Sequence, residues 1–314
     1  MQLRIIRAST WADPLVMSAN HFARWHRRRL RPVSPSPDDP APSVTVFVLS
    51  GGGVNGAAQV GMIDELYRRG IRPDAVVGVS AGAINAVTLA ADPDEWRVRA
   101  LRAWTSVAEH GLFQRSSSRT LWAVARRRPS LDSGLLLRSL LRSQLPIERL
   151  EECALPVRIG TVALSTGEMH WWSSGSAFDL LLASCAVPGI LPPVLLDGQL
   201  HVDGGVCSPV PVVAAIELAP TRLVVLDVSL TADDEHVPIV DPTALTVLLR
   251  SFEAARRRVA AAELATVSSA IETIHIRAGG PAALVPATPL RISALIEEGR
   301  AAARHVLAAY PVIE

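Results

Sequence analysis

The sequence contains no lysine, and all 31 of its basic residues are arginine. They are balanced by 30 acidic residues, so the formal net charge is only +1. A general nucleic-acid-binding protein needs a strong positive field, and this balance therefore argues against a nucleic-acid partner. We attribute the lack of lysine to a GC-rich coding sequence rather than to a function.

Cysteine is also scarce, with only three residues: Cys153, Cys185 and Cys207. That number is too small for a disulfide framework, and no pair has the CxxC spacing of a zinc site. We therefore expect no metal, no cofactor and a reduced, cytoplasmic setting.

Long apolar runs are missing as well. The most apolar region, residues 180–196, is broken by Pro188, Pro192 and Pro193, so a membrane-spanning helix is not expected. Near the N-terminus, the Trp-Ala-Asp-Pro segment at residues 11–14 interrupts any apolar core of a signal peptide. We therefore expect no export through the general secretory route.

The first 43 residues differ in composition from the rest, because they carry seven arginines against three aspartates and end in a proline-rich stretch. Such a stretch forms neither a helix nor an interior strand. We therefore divide the chain into a basic arm with a linker, residues 1–43, and a folded domain, residues 44–314. Residues 20–31 mix aromatic residues with arginine as interfacial helices do, which predicts peripheral contact with an anionic, inner membrane face. An unstructured extension, or a start at Met17, is the alternative.

From residue 44 onward, short apolar β-rich runs alternate with helical patterns. The runs that predict strands are residues 44–49, 75–79, 157–164, 169–172, 223–228 and 273–277. Asp197-Gly198, between two further apolar runs, predicts a β-hairpin. The alternation predicts an α/β fold, a three-layer α/β/α sandwich with a mostly parallel central sheet.

A glycine-rich loop, Gly51-Gly52-Gly53-Val54-Asn55-Gly56, follows the first predicted strand and precedes a helix. Glycines there let the backbone approach a ligand, and the start of the helix offers unpaired N–H donors. The loop also fits the dinucleotide-binding pattern GxGxxG, which needs an acidic residue at the end of the second strand. Asp74 has roughly that offset but precedes the second strand. A nucleotide-binding module is therefore the alternative from a different class of protein.

A second motif, Gly78-Val79-Ser80-Ala81-Gly82, lies between the second predicted strand and a helix. A GxSxG turn in this context holds its serine in a strained conformation with the hydroxyl exposed, which suits a nucleophile. The third motif is Asp203-Gly204-Gly205, directly after the predicted hairpin. Its two glycines let the carboxylate approach another loop, although the tripeptide alone is most often a plain turn.

Together and in this order, the three motifs and the segment ASCAVPG at residues 183–189 resemble the patatin-like phospholipase family. The resemblance extends from about Val44 to about Val228. It implies a hydrolase that acts on acyl esters of lipids, with Ser80 as the nucleophile and Asp203 as the general base. The other positions that it implies are the oxyanion-hole amides of Gly51, Gly52 and Gly53 and the motif glycines Gly56, Gly78, Gly82, Gly204 and Gly205.

The sequence departs from the family pattern at Asn55, where the family usually has arginine or lysine. Loss of that charge lowers the positive potential beside the loop, so we expect neutral acyl esters to be hydrolysed at least as well as phospholipids. Cys207-Ser208-Pro209 is a second departure, because polar residues often follow the Asp-Gly-Gly motif in the family.

Other features have simpler explanations. Four histidines leave a Ser–Asp–His esterase open, but we expect them to be structural or exposed: His201, His236, His275 and His305. The leucine-rich residues 135–141 are expected to pack against the sheet, with an acyl-chain channel as the alternative. Residues 256–258, three consecutive arginines, are expected on a solvated helix face. A catalytically silent lipid-binding relative is a further alternative.

Overall fold

The computed structural model describes residues 43–109, 132–229, 244–279 and 287–310. Residues 20–31, with their predicted membrane contact, and His236 lie outside the described residues. Within the described ranges, no helix is both long enough and apolar enough to cross a membrane. All three cysteines lie in the described ranges and are free.

Eight strands and eight α-helices make up the described residues. The strands are β1 (Thr45–Leu49), β2 (Ala75–Gly78), β3 (Val157–Ala163), β4 (Met169–Trp172), β5 (Val194–Leu196), β6 (Gln199–Asp203), β7 (Arg222–Asp227) and β8 (Glu272–Arg277). The helices are α1 (Ala57–Arg68), α2 (Ala81–Ala91), α3 (Trp96–Glu109), α4 (Leu135–Gln144), α5 (Ala177–Ser184), α6 (Val212–Ile216), α7 (Ala244–Leu264) and α8 (Pro289–Leu307).

The described strands form one sheet in the order β5-β6-β3-β2-β1-β7-β8, with β4 paired to β3. Five neighbouring strands, β3, β2, β1, β7 and β8, are parallel to one another. β4 and β6 each pair antiparallel with β3, and β5 pairs antiparallel with β6. β1 lies in the middle of the parallel part, and Val46, Phe47, Val48 and Leu49 expose none of their surface. The predicted mostly parallel sheet is confirmed, with an antiparallel edge at β5 and β6.

Helices cover both faces of this sheet. α1, α2 and α8 pack on one face, and α6 packs on the other face beneath α7. The arrangement confirms the three-layer α/β/α sandwich. Because the carboxyl ends of parallel strands share one edge of a sheet, the loops that follow β1, β2 and β7 meet at that edge.

The hairpin of β5 and β6 turns at Asp197 and Gly198, whose φ angles are 47° and 80°. Positive φ at both central residues is the two-residue turn that Asp-Gly favours, so the predicted hairpin is confirmed. β6 then pairs with β3, with Asp203 opposite Thr161. The hairpin therefore carries the Asp-Gly-Gly motif to the same edge of the sheet as Ser80.

Helices α1 and α8 cross at close range through two glycines. A Cβ atom on Gly61 would lie 1.9 Å from the Ile296 carbonyl oxygen, and one on Gly299 would lie 1.9 Å from the Ala58 carbonyl oxygen. The two helix backbones therefore touch, and no side chain fits between them. Ion pairs flank the crossing and join Arg300 to Asp64 and Arg304 to Glu65.

Gly299→Ala tests this crossing. In an unhindered helix the substitution stabilises by up to about 1 kcal/mol, but here the added methyl group collides with the backbone of α1. We expect the free energy of unfolding to fall by about 2 kcal/mol in urea denaturation. Ala301→Gly, at an exposed position of the same helix, is the control for helix propensity. Unchanged or increased stability in Gly299→Ala would contradict the close contact.

Candidate active site

Ser80 lies in the tight turn between β2 and α2, with a φ of 55° and a ψ of −130°. A residue other than glycine rarely adopts this conformation. The turn is closely packed, because a Cβ atom on Gly82 would lie 2.3 Å from the Leu49 carbonyl oxygen. One on Gly78 would lie 2.5 Å from the Gly82 carbonyl oxygen. Only glycine fits at these two positions, so the GxSxG spacing accounts for the strained turn.

A buried serine at the end of α5 fixes the backbone of Ser80. The Ser184 hydroxyl accepts the Ser80 N–H at 3.0 Å and donates to the Gly160 carbonyl oxygen at 2.8 Å. The same carbonyl approaches the Asp-Gly-Gly turn, because a Cβ atom on Gly204 would lie 2.3 Å from it. Ser184 therefore links the serine turn, β3 and the Asp-Gly-Gly turn, which gives the ASCAVPG segment a positioning role.

Asp203 ends β6, and its carboxyl group is buried beside Ser80; the two residues are 4% and 7% exposed. Both side chains line the same cavity, and the Ser80 hydroxyl lowers the pKa of this carboxyl as a nearby hydrogen-bond donor. The Gly205 N–H donates a hydrogen bond to the carboxyl at 2.7 Å. The Asp203 N–H is held by the Ala186 carbonyl oxygen at 3.0 Å. The structure thus brings together the two residues that the sequence predicts as nucleophile and base.

Burial raises the pKa of Asp203 above its ordinary value, because the charged form loses its hydration. The Arg256 guanidinium, the Ser80 hydroxyl and the Gly205 N–H act in the opposite direction but do not cancel the rise in this pKa. A carboxylate with a raised pKa is a stronger base than a solvated aspartate. With the Ser80 hydroxyl beside it in the same cavity, this carboxylate can take up the hydroxyl proton.

The glycine loop after β1 lies across the same cavity from Asp203. The Gly51 N–H donates to the Pro209 carbonyl oxygen at 3.0 Å, so it is already occupied. The N–H groups of Gly52 and Gly53 have no acceptor within the described part of the chain. Of the three amides that the sequence predicts as donors of the oxyanion hole, those of Gly52 and Gly53 are therefore the available ones in the described part of the chain.

Two cavities meet at Ser80. The first is bounded by the glycine loop, Asp203 and α7 and has about 940 Å³, including open solvent at its mouth. The second lies between α2, α3 and α4 and has about 540 Å³, measured in the same way. Side chains such as Trp104, Leu137 and Leu140 make the second lining apolar.

Helix α4 does not simply pack against the sheet as its leucines predict. Leu137 and Leu140 are buried and line the apolar cavity beside Ser80, whereas Leu135 and Leu136 are exposed to solvent. The sequence shows which leucines share a helix face, but it does not show that the face meets a cavity. The buried face of α4 therefore lines a cavity, and the use of this cavity by an acyl chain stays a prediction.

Helix α7 supplies cavity residues that the sequence analysis missed: Phe252, Glu253, Arg256 and Arg257. The Arg256 Nε donates to the Gly205 carbonyl oxygen at 2.6 Å. The expectation of a solvated face at residues 256–258 is therefore wrong for the first two arginines, and only Arg258 is exposed. These two guanidinium groups lie in the cavity together with the carboxyl groups of Glu253 and Asp203, and Asn55 adds no charge. Phe252 and Arg256 are four residues apart, so the sequence predicts that they share one face of a helix. It does not predict that this face lines the cavity.

None of the described histidines is among the residues that line the two cavities at Ser80. His201 is buried, and its Nδ1 lies 2.9 Å from the Thr161 hydroxyl oxygen; burial lowers the pKa of this imidazole. His275 on β8 pairs with Asp227, with 3.2 Å between Nε2 and Oδ2. His305 is exposed on α8. Among the described residues, the Ser–Asp–His alternative therefore has no histidine in place.

Asp74 does not fulfil the nucleotide-binding pattern. Its carboxylate accepts the Thr45 N–H at 2.8 Å, at the start of β1, whereas the glycine loop follows the end of that strand. The two lie at opposite edges of the sheet, so Asp74 cannot reach a ligand held by the loop. The described ranges also contain no group of three or more His, Cys, Asp or Glu residues that could hold a metal ion.

Residues 47–216, more than half of the chain, match the family model described as patatin-like phospholipase. An uncharacterized NTE family protein of Mycobacterium tuberculosis is 28% identical over 52% of this chain and 43% of its own length. Patatin-like phospholipase domain-containing protein 7 of Mus musculus is 28% identical over 58% of this chain and 13% of its own length. Lysophospholipase NTE1 of Mycosarcoma maydis is 26% identical over 58% of this chain and 9% of its own length. The chain spans less than half the length of these curated relatives.

Two solved structures are similar to the chain. VipD from Legionella pneumophila matches with a TM-score of 0.49 and 15% identity, over 86% of this chain and 68% of that chain. The type III effector protein ExoU matches with a TM-score of 0.37 and 16% identity, over 86% of this chain and 53% of that chain. Both matched chains extend beyond the aligned part, as the curated relatives do.

Arg256→Gln tests the charge beside Asp203. Because the guanidinium lowers the pKa of Asp203, its removal raises that pKa further. A base is active in its ionised form, so activity is lost as the pH falls through this pKa, and the acid limb of kcat/KM moves to higher pH. The measurement is hydrolysis of a soluble short-chain ester, with the exposed Arg258→Gln as control. An acid limb at the same pH in all three proteins would contradict the electrostatic coupling.

Proposed function

Because the chain belongs to the patatin-like phospholipase family, we propose that it is a serine hydrolase that cleaves acyl esters of lipids through a Ser80–Asp203 dyad. The observation that carries the proposal is that the buried Asp203 carboxyl lines the same cavity as Ser80, whose backbone forms a strained turn. A serine hydroxyl is a poor nucleophile until an adjacent base takes its proton. Membership of the family supports a lipid hydrolase. The catalytic dyad and the substrate are our own proposals.

In the first proposed step, the Ser80 Oγ attacks the ester carbonyl carbon while Asp203 takes the hydroxyl proton. The carbonyl electron pair moves to oxygen, and the N–H groups of Gly52 and Gly53 stabilise this oxyanion. One such donor contributes roughly 3–4 kcal/mol in measured enzymes. Collapse of the intermediate breaks the bond to the alcohol oxygen, and Asp203 gives its proton to the leaving alcohol. The acyl group remains as an ester of Ser80.

In the second step, water attacks this acyl ester, and Asp203 takes a proton from the water. A second oxyanion forms against the same amides, and its collapse releases the fatty acid. Asp203 returns its proton to the Ser80 oxygen, which restores the free enzyme. Because Asp203 must both take and return a proton, its raised pKa suits the two steps.

The apolar cavity suits the acyl chain of the substrate. It shares Gly53, Ser80 and Val187 with the cavity beneath α7. An ester carbon at the Ser80 hydroxyl would then have its acyl chain among Trp104 and Leu137 and its alcohol part in the cavity that contains two arginines. This division favours a substrate with a long apolar chain on one side and a polar group on the other.

The names of the relatives agree with this class of substrate, since one is a lysophospholipase and another a patatin-like phospholipase domain-containing protein. Each is matched over less than half of its own length. We therefore propose a lipid acyl ester as the substrate and leave its head group to the experiment. A cytoplasmic setting and contact of residues 20–31 with an anionic membrane face are further parts of the proposal.

Ser80→Ala, Asp203→Asn and the double variant test the dyad. Each single variant should lower kcat at least about 10⁴-fold, and the double variant should be no worse than either, because groups that act as a unit are not additive. The measurement is the turnover of a soluble short-chain ester by purified protein. His305→Gln, on the exposed face of α8, is the control and should retain activity within about tenfold.

Two results would exclude the dyad. One is appreciable turnover by Ser80→Ala, since the nucleophile would then lie elsewhere. The other is a loss in His201→Gln or His275→Gln as large as that in Asp203→Asn, with both variants folded. That result would support a Ser–Asp–His arrangement.

Leu137→Trp tests the acyl-chain cavity. The larger side chain fills space beside Ser80, so kcat/KM for a long-chain acyl ester should fall about tenfold or more relative to a short-chain ester. Ser139→Trp, on the exposed side of the same helix and outside the cavity lining, is the matched control and should change neither value. An equal loss for both chain lengths in Leu137→Trp would place the acyl chain elsewhere.

A further inference from the structure

Five of the nine large apolar side chains that are exposed in the described ranges lie on α4 or at the antiparallel end of the sheet formed by β3, β5 and β6. They are Leu135, Leu136, Leu164, Leu195 and Leu200, and we call them the leucine patch. The loop of residues 187–193 leads into β5. It contributes Val187, Pro188 and Ile190 to the first cavity at Ser80. This loop therefore leads from the wall of the candidate active site into β5, which carries part of the patch.

Three leucines of the patch form a row across the antiparallel edge of the sheet. Leu195 and Leu200 are cross-strand partners in β5 and β6, and the Leu164 N–H donates to the Leu200 carbonyl oxygen at 2.7 Å. Directly opposite residues project from the same face of a sheet, so the three side chains lie next to one another. Leu164, Leu195 and Leu200 are 54%, 66% and 46% exposed.

This row continues a buried apolar stripe into solvent. Val162 and Val202 are cross-strand partners and lie two residues nearer the centre of the sheet than Leu164 and Leu200. Both valines are buried, at 3% and 4% exposed. Side chains two residues apart share a face, so Leu164 and Leu200 extend the same stripe beyond the layer that covers it.

The remaining two leucines lie on the first turn of α4, which is held against the same loop. The Asp132 N–H donates to the Ile190 carbonyl oxygen at 2.9 Å. A Cβ atom on Gly134 would lie 3.6 Å from the Pro192 side chain. Leu135 and Leu136 follow directly and are 68% and 40% exposed. Exposed leucines therefore lie both on α4, which contacts the loop of residues 187–193, and on β5, which follows that loop.

The row also projects past the active-site edge of the sheet. Gly78 pairs with Ile159, and Thr161 pairs with Asp203, which puts Asp203 level with Ser80. Leu164 and Leu200 lie three residues further in the direction of the carboxyl ends, a distance of about 10 Å at roughly 3.3 Å per residue. A flat surface that approaches this edge would therefore meet the leucines before Ser80.

We propose that the leucine patch inserts into the surface of a lipid aggregate and docks the Ser80 cavities against it. The proposal rests on the proposed function, because a hydrolase of long-chain lipids must take its substrate from such a surface. Glu168 and Asp197 lie in the turns beside the row, and their carboxyl groups disfavour an anionic surface. The occupant is therefore an uncharged or zwitterionic lipid surface, bound by burial of apolar area.

The test combines Leu164→Ser, Leu195→Ser and Leu200→Ser in the full chain and measures binding to phosphatidylcholine vesicles by flotation. We expect binding to fall at least about tenfold, because three partly inserted leucines are lost. Added salt should not weaken the binding of the unsubstituted protein, which distinguishes the patch from an anionic contact of residues 20–31. Val98→Ser with Val213→Ser, two exposed apolar positions elsewhere, is the matched control and should bind normally.

Hydrolysis of a soluble short-chain ester by the triple variant should stay unchanged, which verifies its fold. Vesicle binding equal to that of the unsubstituted protein would overturn the proposal. A dimer in size-exclusion chromatography that the triple variant converts to a monomer, without any change in vesicle binding, would also overturn it and assign the patch to self-association. The proposed function would fail in a different measurement, because a protein that hydrolyses no ester can still bind vesicles. Vesicle binding therefore tests the patch, and ester hydrolysis tests the proposed function.

Discussion

The candidate active site depends on one close approach, that of Gly82 to the carbonyl oxygens of Leu49 and Ser50. The approach brings the first turn of α2 against the end of β1, and the chain between β2 and α2 must then turn sharply at Ser80. A non-glycine residue at a φ of 55° carries strain, on the order of 1–3 kcal/mol. The hydrogen bond from the Ser80 N–H to Ser184 holds the turn in place. The strain thus serves to present the Ser80 hydroxyl at the edge of the sheet.

The same edge receives Asp203 by an independent route. The hairpin of β5 and β6 returns antiparallel to β3, and the carbonyl of Gly160 in β3 contacts both Ser184 and the Asp-Gly-Gly turn. β3 is therefore the element that sets the distance between Ser80 and Asp203. Helix α7 adds Arg256 from a third direction, through its bond to the Gly205 carbonyl oxygen. Asn55 is buried, and its side chain lies about 3.1 Å from where Gly279 would carry a Cβ, so little room remains there for a longer side chain.

Much of the fold is predictable because its signals are local. The six strands predicted as apolar runs lie within one residue of the observed bounds, since each run is short and ends at a glycine, a proline or a polar turn. Asp197-Gly198 specifies its own turn, and Gly78 and Gly82 specify the serine turn. The contacts that were missed are non-local: Arg256 lies 51 residues after Gly205, and the bond from Gly51 to Pro209 joins segments far apart in sequence. Periodicity places Leu137 and Arg256 on helix faces but does not say what each face meets.

The central claim is that Ser80 is a nucleophile activated by Asp203, and covalent labelling tests it most directly. A fluorophosphonate reacts with an activated serine and stays attached, so peptide mass spectrometry of the labelled protein identifies the residue. We expect a single labelled site at Ser80, with a labelling rate that drops strongly in Asp203→Asn. Absence of label, label on another serine, or an equal rate in Asp203→Asn would contradict it.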